Sequence, residues 1–363
     1  MEAALAAGYR IVLMAFSRGV TANPHLQHPD VEIVDLGAIE DGMGVGRVAA
    51  LWRARRRIAA ALKHRPKPTI ALYNTLEMLL LGVSAGVRAQ SVLYDVTDIH
   101  PFQYRRRVVR ALEARLLRSI DHLIVSSPWY YWVYYRSMLG YEGPAHLIEN
   151  KTSPQAVAVG PPTWRSKPRI LWNGLLYCET SGRLLLDALS KDSEAFTLRL
   201  AGHTEGVESL HRASEFPATQ IEQFGPYADS ALQAVFASVS FVWCVYVYDD
   251  FNSKLALANR LYQAIMHGVP VITLAGTATA KIVEHHQIGI VLERADAASL
   301  LDALARVTEA RYTAMCASMK ALQPAAARGE ELRELLGQAG ALSLNGSALP
   351  AEENISVCLR VPT

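Results

Sequence analysis

The sequence predicts an α/β protein of two doubly wound domains, and three observations carry that expectation. Short β-branched apolar runs alternate with helix-period segments along most of the chain. At 363 residues the chain exceeds what one hydrophobic core comfortably fills. Two such series are separated by residues 151–168, which hold Pro154, Pro161, Pro162 and Pro168 with little periodicity and read as a linker.

The first domain, residues 1–150, opens on a short helical stretch, EAALAA, closed by Gly8, and continues into a buried strand, YRIVLMAF (9–16). A doubly wound domain normally starts with a strand and a glycine-bearing turn, so the sequence reads as beginning inside the first helix, with the first strand missing. VEIVDL (31–36) follows, then a glycine-bearing joint, residues 42–46, and a helix over about Arg47–Lys63. The joint lacks the third glycine of a dinucleotide fingerprint in register and is expected to be a loop. In the helix, Val48, Leu51, Trp52, Ile58 and Leu62 can share a face away from Arg53, Arg56, Arg57 and Lys63.

TIALYN (69–74), SVLYDV (91–96) and HLIVSS (122–127) are three further strand candidates. Between the last two lies Arg105–Arg118, where Val108, Val109, Leu112 and Leu116 form an apolar stripe and Arg107, Arg110 and Arg118 point elsewhere. Such a helix suits either an anionic membrane surface or core packing with a solvated face. The aromatic run Trp129–Tyr135 suits a membrane interface or a sugar face.

The second domain, residues 169–320, shows RILWN (169–173), TLRLAG (197–202), IEQFG (221–225), VSFVWCVYV (239–247), VPVITL (269–274) and GIVLE (289–293) as strands. Within it, Asn259–Leu274 (NRLYQAIMHGVPVITL) reads as helix, tight turn and buried strand, with Asn259 as the expected N-cap. A final helical region from about Ala297 is expected to break near Pro324, so that residues 321–363 form a C-terminal helix and a weakly ordered tail.

Half of the residues are hydrophobic, 19% are charged, and no apolar run is long enough to span a bilayer, which predicts a soluble globular protein. Cys178, Cys244, Cys316 and Cys358 stand far apart, indicating neither a zinc site nor a disulfide framework. With no secretory signal at the N-terminus, a cytoplasmic location is expected, and the Asn345-Gly346-Ser347 triplet reads as incidental. Residues 1–150 hold 18 Lys and Arg against 13 Asp and Glu, while the remainder holds 18 against 21. The first domain is therefore the one expected to meet something anionic, with the inner face of the cytoplasmic membrane as one partner. Near-neutral total charge argues against nucleic acid as a partner.

Ligands in open parallel sheets bind beyond the carboxyl ends of the strands, and chemistry-bearing residues gather there in both domains. In the first, Asp95, Asp98 and His100 form a titratable cluster at the exit of SVLYDV, where either a catalytic base or a loop Asp capping the next helix fits. In the second, Asn173-Gly174, Gly202-His203, Gly225-Pro226-Tyr227 and the Asn259-Arg260 helix start sit at strand exits. Glycine admits close backbone approach, and a positive helix end beside a guanidinium suits a phosphate.

In order and spacing, LAAGYRIVLMAF, YDVTDIH, RILWNG, LRLAGH, IEQFGPY and ANRLYQAIMHGVPVI with the following AGTATAKIVEHHQIGIVLE resemble the bacterial glycosyltransferases of the GT-B fold. These enzymes have two facing Rossmann-like domains and are related to the large retaining family 4. The resemblance covers roughly residues 1–320. It implies an enzyme of surface or exopolysaccharide synthesis. In that scheme a nucleoside-diphosphate sugar is bound by the second domain and a glycan or polyprenyl-linked glycan acceptor by the first. It further implies that Arg260 contacts the donor diphosphate, that Gly174 is the glycine at the mouth of the first donor-domain strand, and that Gln263 stands where relatives usually carry a ribose-binding Glu. His203, Tyr227 and Asn259 complete the expected donor contacts. Asp98, backed by His100 or Asp95, is the expected handler of the acceptor proton. Leu255 occupies the place of the second glutamate of the retaining pattern, which leaves the stereochemical outcome open. No metal and no cofactor beyond the donor substrate are expected, because Asp249-Asp250 lacks DxD spacing and Arg260 with helix N–H groups can hold the leaving group. The alternatives are a catalytically degenerate sugar-nucleotide- or partner-binding protein of the same fold and, more weakly, an epimerase. The dinucleotide fingerprint and its ribose-binding acid are not in place, which argues against a nicotinamide dehydrogenase.

Overall fold

The computed structural model describes residues 1–17, 24–39, 45–151, 163–204, 206–247, 251–326 and 331–339. Residues 42–44 of the glycine-bearing joint, most of the proline-rich linker, Asp249-Asp250, Asn345-Gly346-Ser347, Cys358 and the C-terminal tail lie outside them. The chain divides into two compact units at Ile148/Glu149, within a few residues of the proline-rich stretch.

The first unit runs through α1 (Glu2–Ala6), β1 (Ile11–Ser17), β2 (Val31–Ala38), α2 (Val45–Leu62), β3 (Ile70–Tyr73), α3 (Leu76–Ser84), β4 (Ser91–Val96), α4 (Pro101–Arg105), α5 (Arg107–Leu116), β5 (His122–Val125), a π-helix (Tyr130–Met138) and β6 (Ala145–Leu147). β1 and β2 pair in parallel, and β3-β4-β5-β6 form a second parallel sheet in that order. Near-continuous burial of Ser91, Leu93, Tyr94 and Val96 on β4 is what a central parallel strand covered on both faces requires.

The second unit contains β7 (Arg169–Leu176), α6 (Glu179–Lys191), β8 (Thr197–Thr204), β9 (Ile221–Gly225), α7 (Leu232–Phe236), β10 (Phe241–Trp243), α8 (Phe251–Leu255), α9 (Asn259–Met266), β11 (Val271–Leu274), α10 (Ala278–His286), β12 (Gly289–Leu292), α11 (Ala297–Ala305) and α12 (Glu309–Ala326). Its six strands are all parallel in the order β12-β11-β10-β7-β8-β9, the doubly wound order, with the direction of winding reversing between β7 and β10. Trp172, Trp243, Phe241, Ile170, Leu198 and Ile272 fill the core beneath it. The expected strand over 239–247 shortens to Phe241–Trp243.

Pro324 lies inside α12 near its C-terminal end rather than ending it. The following α13 (Glu331–Ala339) returns to the first unit, where the Tyr9 hydroxyl donates to the Leu336 carbonyl at 2.7 Å and Leu335 and Leu336 pack with Leu93 and Ile124.

Three surface expectations are corrected. On α5 the buried residues are Val109, Glu113 and Leu116, while Val108 is 82% exposed and Leu112 lies on the surface among the arginines. On α2 the buried line runs through Ala50, Ala54 and Ile58, leaving Val48 and Trp52 exposed, with the Arg56 guanidinium 4.8 Å above the Trp52 ring. The aromatic run is mainly core: Trp129, Tyr130, Tyr134 and Tyr135 are all buried.

Candidate active site

The reversal between β7 and β10 in the second unit holds a pocket of about 180 Å³. Helices leave opposite faces of the sheet on either side of such a point, so a crevice opens there. β7 supplies Asn173, Gly174 and Leu175, with Tyr177 just beyond; Tyr246 follows β10, Tyr227 follows β9, and α9 contributes Asn259, Arg260 and Gln263. The close approach of β7 and β8 beside it needs glycine at position 202. Gly174 and Gly202 are register partners, and a Cβ on Gly202 would lie 1.8 Å from the Gly174 carbonyl oxygen; both have positive φ, +86° and +134°.

Ala258, not Asn259, is the N-cap of α9, and it offers no side-chain cap. Asn259 is instead the first helical residue, its amide donating to the Asn150 carbonyl at 3.2 Å. The expected cap is thus corrected, with the consequence that the leading N–H groups of the helix have no side-chain oxygen on them. One turn further, the Tyr262 hydroxyl donates to Glu149 at 2.7 Å, which ties the helix to the same segment.

Arg260 is only 6% exposed. Its Nη1 donates to the Trp243 carbonyl at 2.9 Å and its Nη2 to the Leu175 carbonyl at 3.4 Å, and the guanidinium lies 5.4 Å from the Tyr246 ring centroid. Among the described residues no carboxylate pairs with it, and its buried charge lines the pocket. An anion is the ligand that such a cation and an uncapped helix start jointly favour.

On the opposite wall Asn173, 1% exposed, is the hub. Its Nδ2 donates to Gln263 Oε1 at 2.9 Å and to the Tyr227 hydroxyl at 3.1 Å, and its buried Oδ1 has no partner among the described residues. That oxygen can accept a hydrogen bond from a ligand. The pocket therefore brings together Gly174, Tyr227, Asn259, Arg260 and Gln263 of the sequence-predicted donor residues. His203, exposed at the end of β8, is not in its lining. In the sequence Asn173 is marked only by its place beside Gly174; Tyr177 and Tyr246 carry no sequence pattern that singles them out.

In the first unit, β4 ends at Val96 and the chain turns through Asp98 and His100 into α4. The capping residue is His100 rather than an aspartate. Its Nδ1 accepts from the Phe102 amide at 3.2 Å, and its own amide donates to Gln103 Oε1 at 2.9 Å, a reciprocal box with Pro101 at the first helical position. Asp98 is exposed. Asp95, the last but one residue of β4, has its pKa raised to about 6 by burial, close to where a general base operates. Among the described residues no group of three or more His, Cys, Asp or Glu is placed to hold a metal ion.

Residues 247–339 match a family described as the glucosyltransferase 3-like C-terminal domain. Over 332 residues the chain is 31% identical to the succinoglycan biosynthesis protein ExoL of Rhizobium meliloti (strain 1021), covering 85% of this chain and 80% of ExoL. The chain belongs to the ExoL family. Among solved structures, it is similar to sucrose-phosphate synthase of Thermosynechococcus elongatus, with a TM-score of 0.69 at 16% identity over 94% of this chain and 90% of that one. Anabaena HepE in complex with UDP and glucose gives 0.68 at 13% identity, over 94% and 95%. The trehalose-6-phosphate synthase of Burkholderia multivorans gives 0.64 at 12%, over 96% and 94%. The fold of this ExoL-family protein is that of the GT-B glycosyltransferases, as the sequence motifs implied.

Proposed function

We propose that this ExoL-family glycosyltransferase moves a sugar from a nucleoside-diphosphate sugar to a glycan or polyprenyl-linked glycan acceptor in bacterial surface polysaccharide synthesis. The observation that carries the reading is the buried Arg260 guanidinium, which has no carboxylate partner among the described residues, beside the start of α9 at the winding reversal of the second unit. Support comes from HepE, solved with UDP and with UDP-glucose, and from the succinoglycan role in the name of ExoL.

In the transfer, the acceptor hydroxyl oxygen bonds to the anomeric carbon as the bond from that carbon to the diphosphate oxygen breaks. The electron pair leaves with the nucleoside diphosphate, whose developing charge Arg260 and the α9 amides are placed to stabilise without a metal. Gly174 lets the backbone close on the diphosphate, while Asn173, Gln263 and Tyr227 contact the nucleoside. Asp98 takes the acceptor proton, with Asp95 and His100 shaping the turn that carries it.

The first unit's surface supports a membrane-bound acceptor. Val48 and Trp52 of α2 and Val108 of α5 are exposed, as are Arg53, Arg56, Arg107 and Arg118, with Arg56 over the Trp52 ring, and α3 contacts both helices. Exposed apolar side chains and arginines on the same helices suit the headgroup region of an anionic leaflet at the cytoplasmic face, and among the described residues no helix is long and apolar enough to cross a membrane. Salt-sensitive sedimentation with anionic liposomes, lost in Trp52→Ala, is expected; equal binding to neutral and anionic vesicles would count against it.

The decisive assay incubates the protein with UDP-sugars and a lipid extract and follows nucleoside diphosphate release. Release that depends on the lipid fraction, and that Asp98→Asn abolishes while nucleotide binding survives, is the predicted result. Tight nucleotide binding with no release from any donor would leave a binding protein and overturn the transferase reading.

A further inference from the structure

Glu113 of α5 is fully buried, yet no cation pairs with it among the described residues. Its carboxylate instead receives hydrogen bonds from the Tyr134 hydroxyl at 2.7 Å, the Tyr135 hydroxyl at 3.1 Å, the Tyr94 hydroxyl at 3.3 Å, and the Gln103 amide at 3.2 and 3.4 Å. Burial pushes its pKa up, and the bonds from Tyr134, Gln103, Tyr135 and Tyr94 pull it down. An acceptor-only group ringed by donors is chemically consistent, but an apolar side chain of similar volume packs a core at lower desolvation cost. The arrangement asks what the carboxylate holds in place.

Two of its partners bracket one segment. Tyr94 is the residue before Asp95, and Gln103 stands three residues after His100; both donate to the same oxygen, Glu113 Oε1. Gln103 hands the connection on, because its own Oε1 accepts the His100 amide at 2.9 Å. The strand exit carrying Asp95, Asp98 and His100 is thus a short loop whose two ends meet on one buried atom. The Glu113 carboxylate is itself held from the π-helix, through Tyr134 and Tyr135.

We propose that Glu113 is a positioning residue for transfer, a clamp that sets the Asp95–His100 turn through Tyr94 and Gln103; this rests on the reading of that turn as the acceptor-proton site. The side chain of Glu113 never reaches solvent and acts only through those partners. Displacement of a reacting group by about an ångström can cost up to about a hundredfold in rate, so loosening the clamp lowers turnover without touching the donor pocket.

The test compares Glu113→Gln, Gln103→Glu and the double exchange in the full-length protein. In Glu113→Gln the amide nitrogen meets hydrogen-bond donors, and in Gln103→Glu two carboxylates collide. In the double exchange Glu at 103 still accepts the His100 amide and receives a bond from Gln at 113, so both links are rebuilt. Each single variant is expected to lose roughly tenfold or more in kcat with the donor KM within about twofold, and the exchange to restore most of it. Amide hydrogen exchange over residues 95–103 is expected to quicken in the singles and recover in the double, while exchange in α9 stays as in the wild type. Wild-type kcat in folded Glu113→Gln, unchanged exchange over 95–103, or an exchange pair as slow as the singles would each overturn the clamp. If the wild-type protein transfers no sugar at all, the transferase reading fails on its own and the hydrogen-exchange pattern alone decides the clamp.

Discussion

Arg260→Met separates the two jobs a buried arginine can do. Of its five guanidinium N–H donors, the carbonyls of Trp243 and Leu175 take two among the described residues, and others can serve a ligand. Methionine keeps most of the stem's volume and removes the charge. For the free protein, the two carbonyls lose donors, at about 1 kcal/mol each, but the desolvation cost of a buried cation is also relieved. The net change in unfolding free energy is expected to stay within about 1 kcal/mol. For the complex, losing even one charge-assisted hydrogen bond to a diphosphate costs about 1.5–3 kcal/mol, a roughly 10- to 150-fold rise in Kd. Isothermal titration with UDP and with UDP-glucose at fixed ionic strength measures the second quantity, and urea unfolding without ligand the first. Arg260→Lys keeps the charge but not the planar fork and is expected to fall between wild type and Met. Equal Kd values for wild type and Met, with a large loss of stability, would refute the reasoning and make Arg260 a packing residue.

Other consequences concern other residues. Gly202→Ala puts a methyl group 1.8 Å from the Gly174 oxygen at a φ of +134°, so more than about 3 kcal/mol of stability and nucleotide binding should be lost together in urea titrations and calorimetry; a wild-type-like midpoint would contradict the strand spacing. Asp95 ionises near pH 6 when folded and near 3.8 when unfolded, so its contribution to stability is full below 3.8 and is lost as pH rises through 6. Asp95→Asn should therefore gain on the wild type between pH 4 and 7, by up to about 3 kcal/mol, and a gap that does not move with pH would refute it. His267 runs the other way. Stacked on Phe236 at 4.0 Å with both ring nitrogens unpartnered among the described residues, it has its pKa lowered by burial to about 4, so its contribution is present above 6.5 and lost as pH falls. His267→Leu should gain relative to the wild type by up to about 3 kcal/mol from pH 7 to 4, whatever their difference at pH 8.

The parallel strands were legible because burial on both faces leaves an unbroken apolar run, and SVLYDV coincides with β4 residue for residue. Much of the pocket was legible too, since Gly174 and the Asn259-Arg260 helix start lie where doubly wound sheets gather ligands. What the pattern could not give was which side of a wide stripe is covered. Val48 and Trp52 satisfy a 3.6-residue period as well as Ala50, Ala54 and Ile58 do, and only the neighbouring elements choose between them. Polar residues that bind one another across the chain were also hidden. Nothing in the helix pattern singles out Glu113, on which Tyr94, Tyr134 and Tyr135 converge, and Asn173 reads as a strand-end residue until Gln263, ninety positions later, closes on its amide.

The central claim, that the crevice between β7, β10 and α9 holds the donor diphosphate, is met most directly by a crystal structure of the protein soaked with UDP. Difference density for the two phosphates within hydrogen-bonding distance of the Arg260 guanidinium and the leading amides of α9, with the nucleoside toward Asn173 and Gln263, is the predicted result. Well-ordered UDP elsewhere on the chain, with this crevice empty, would contradict it.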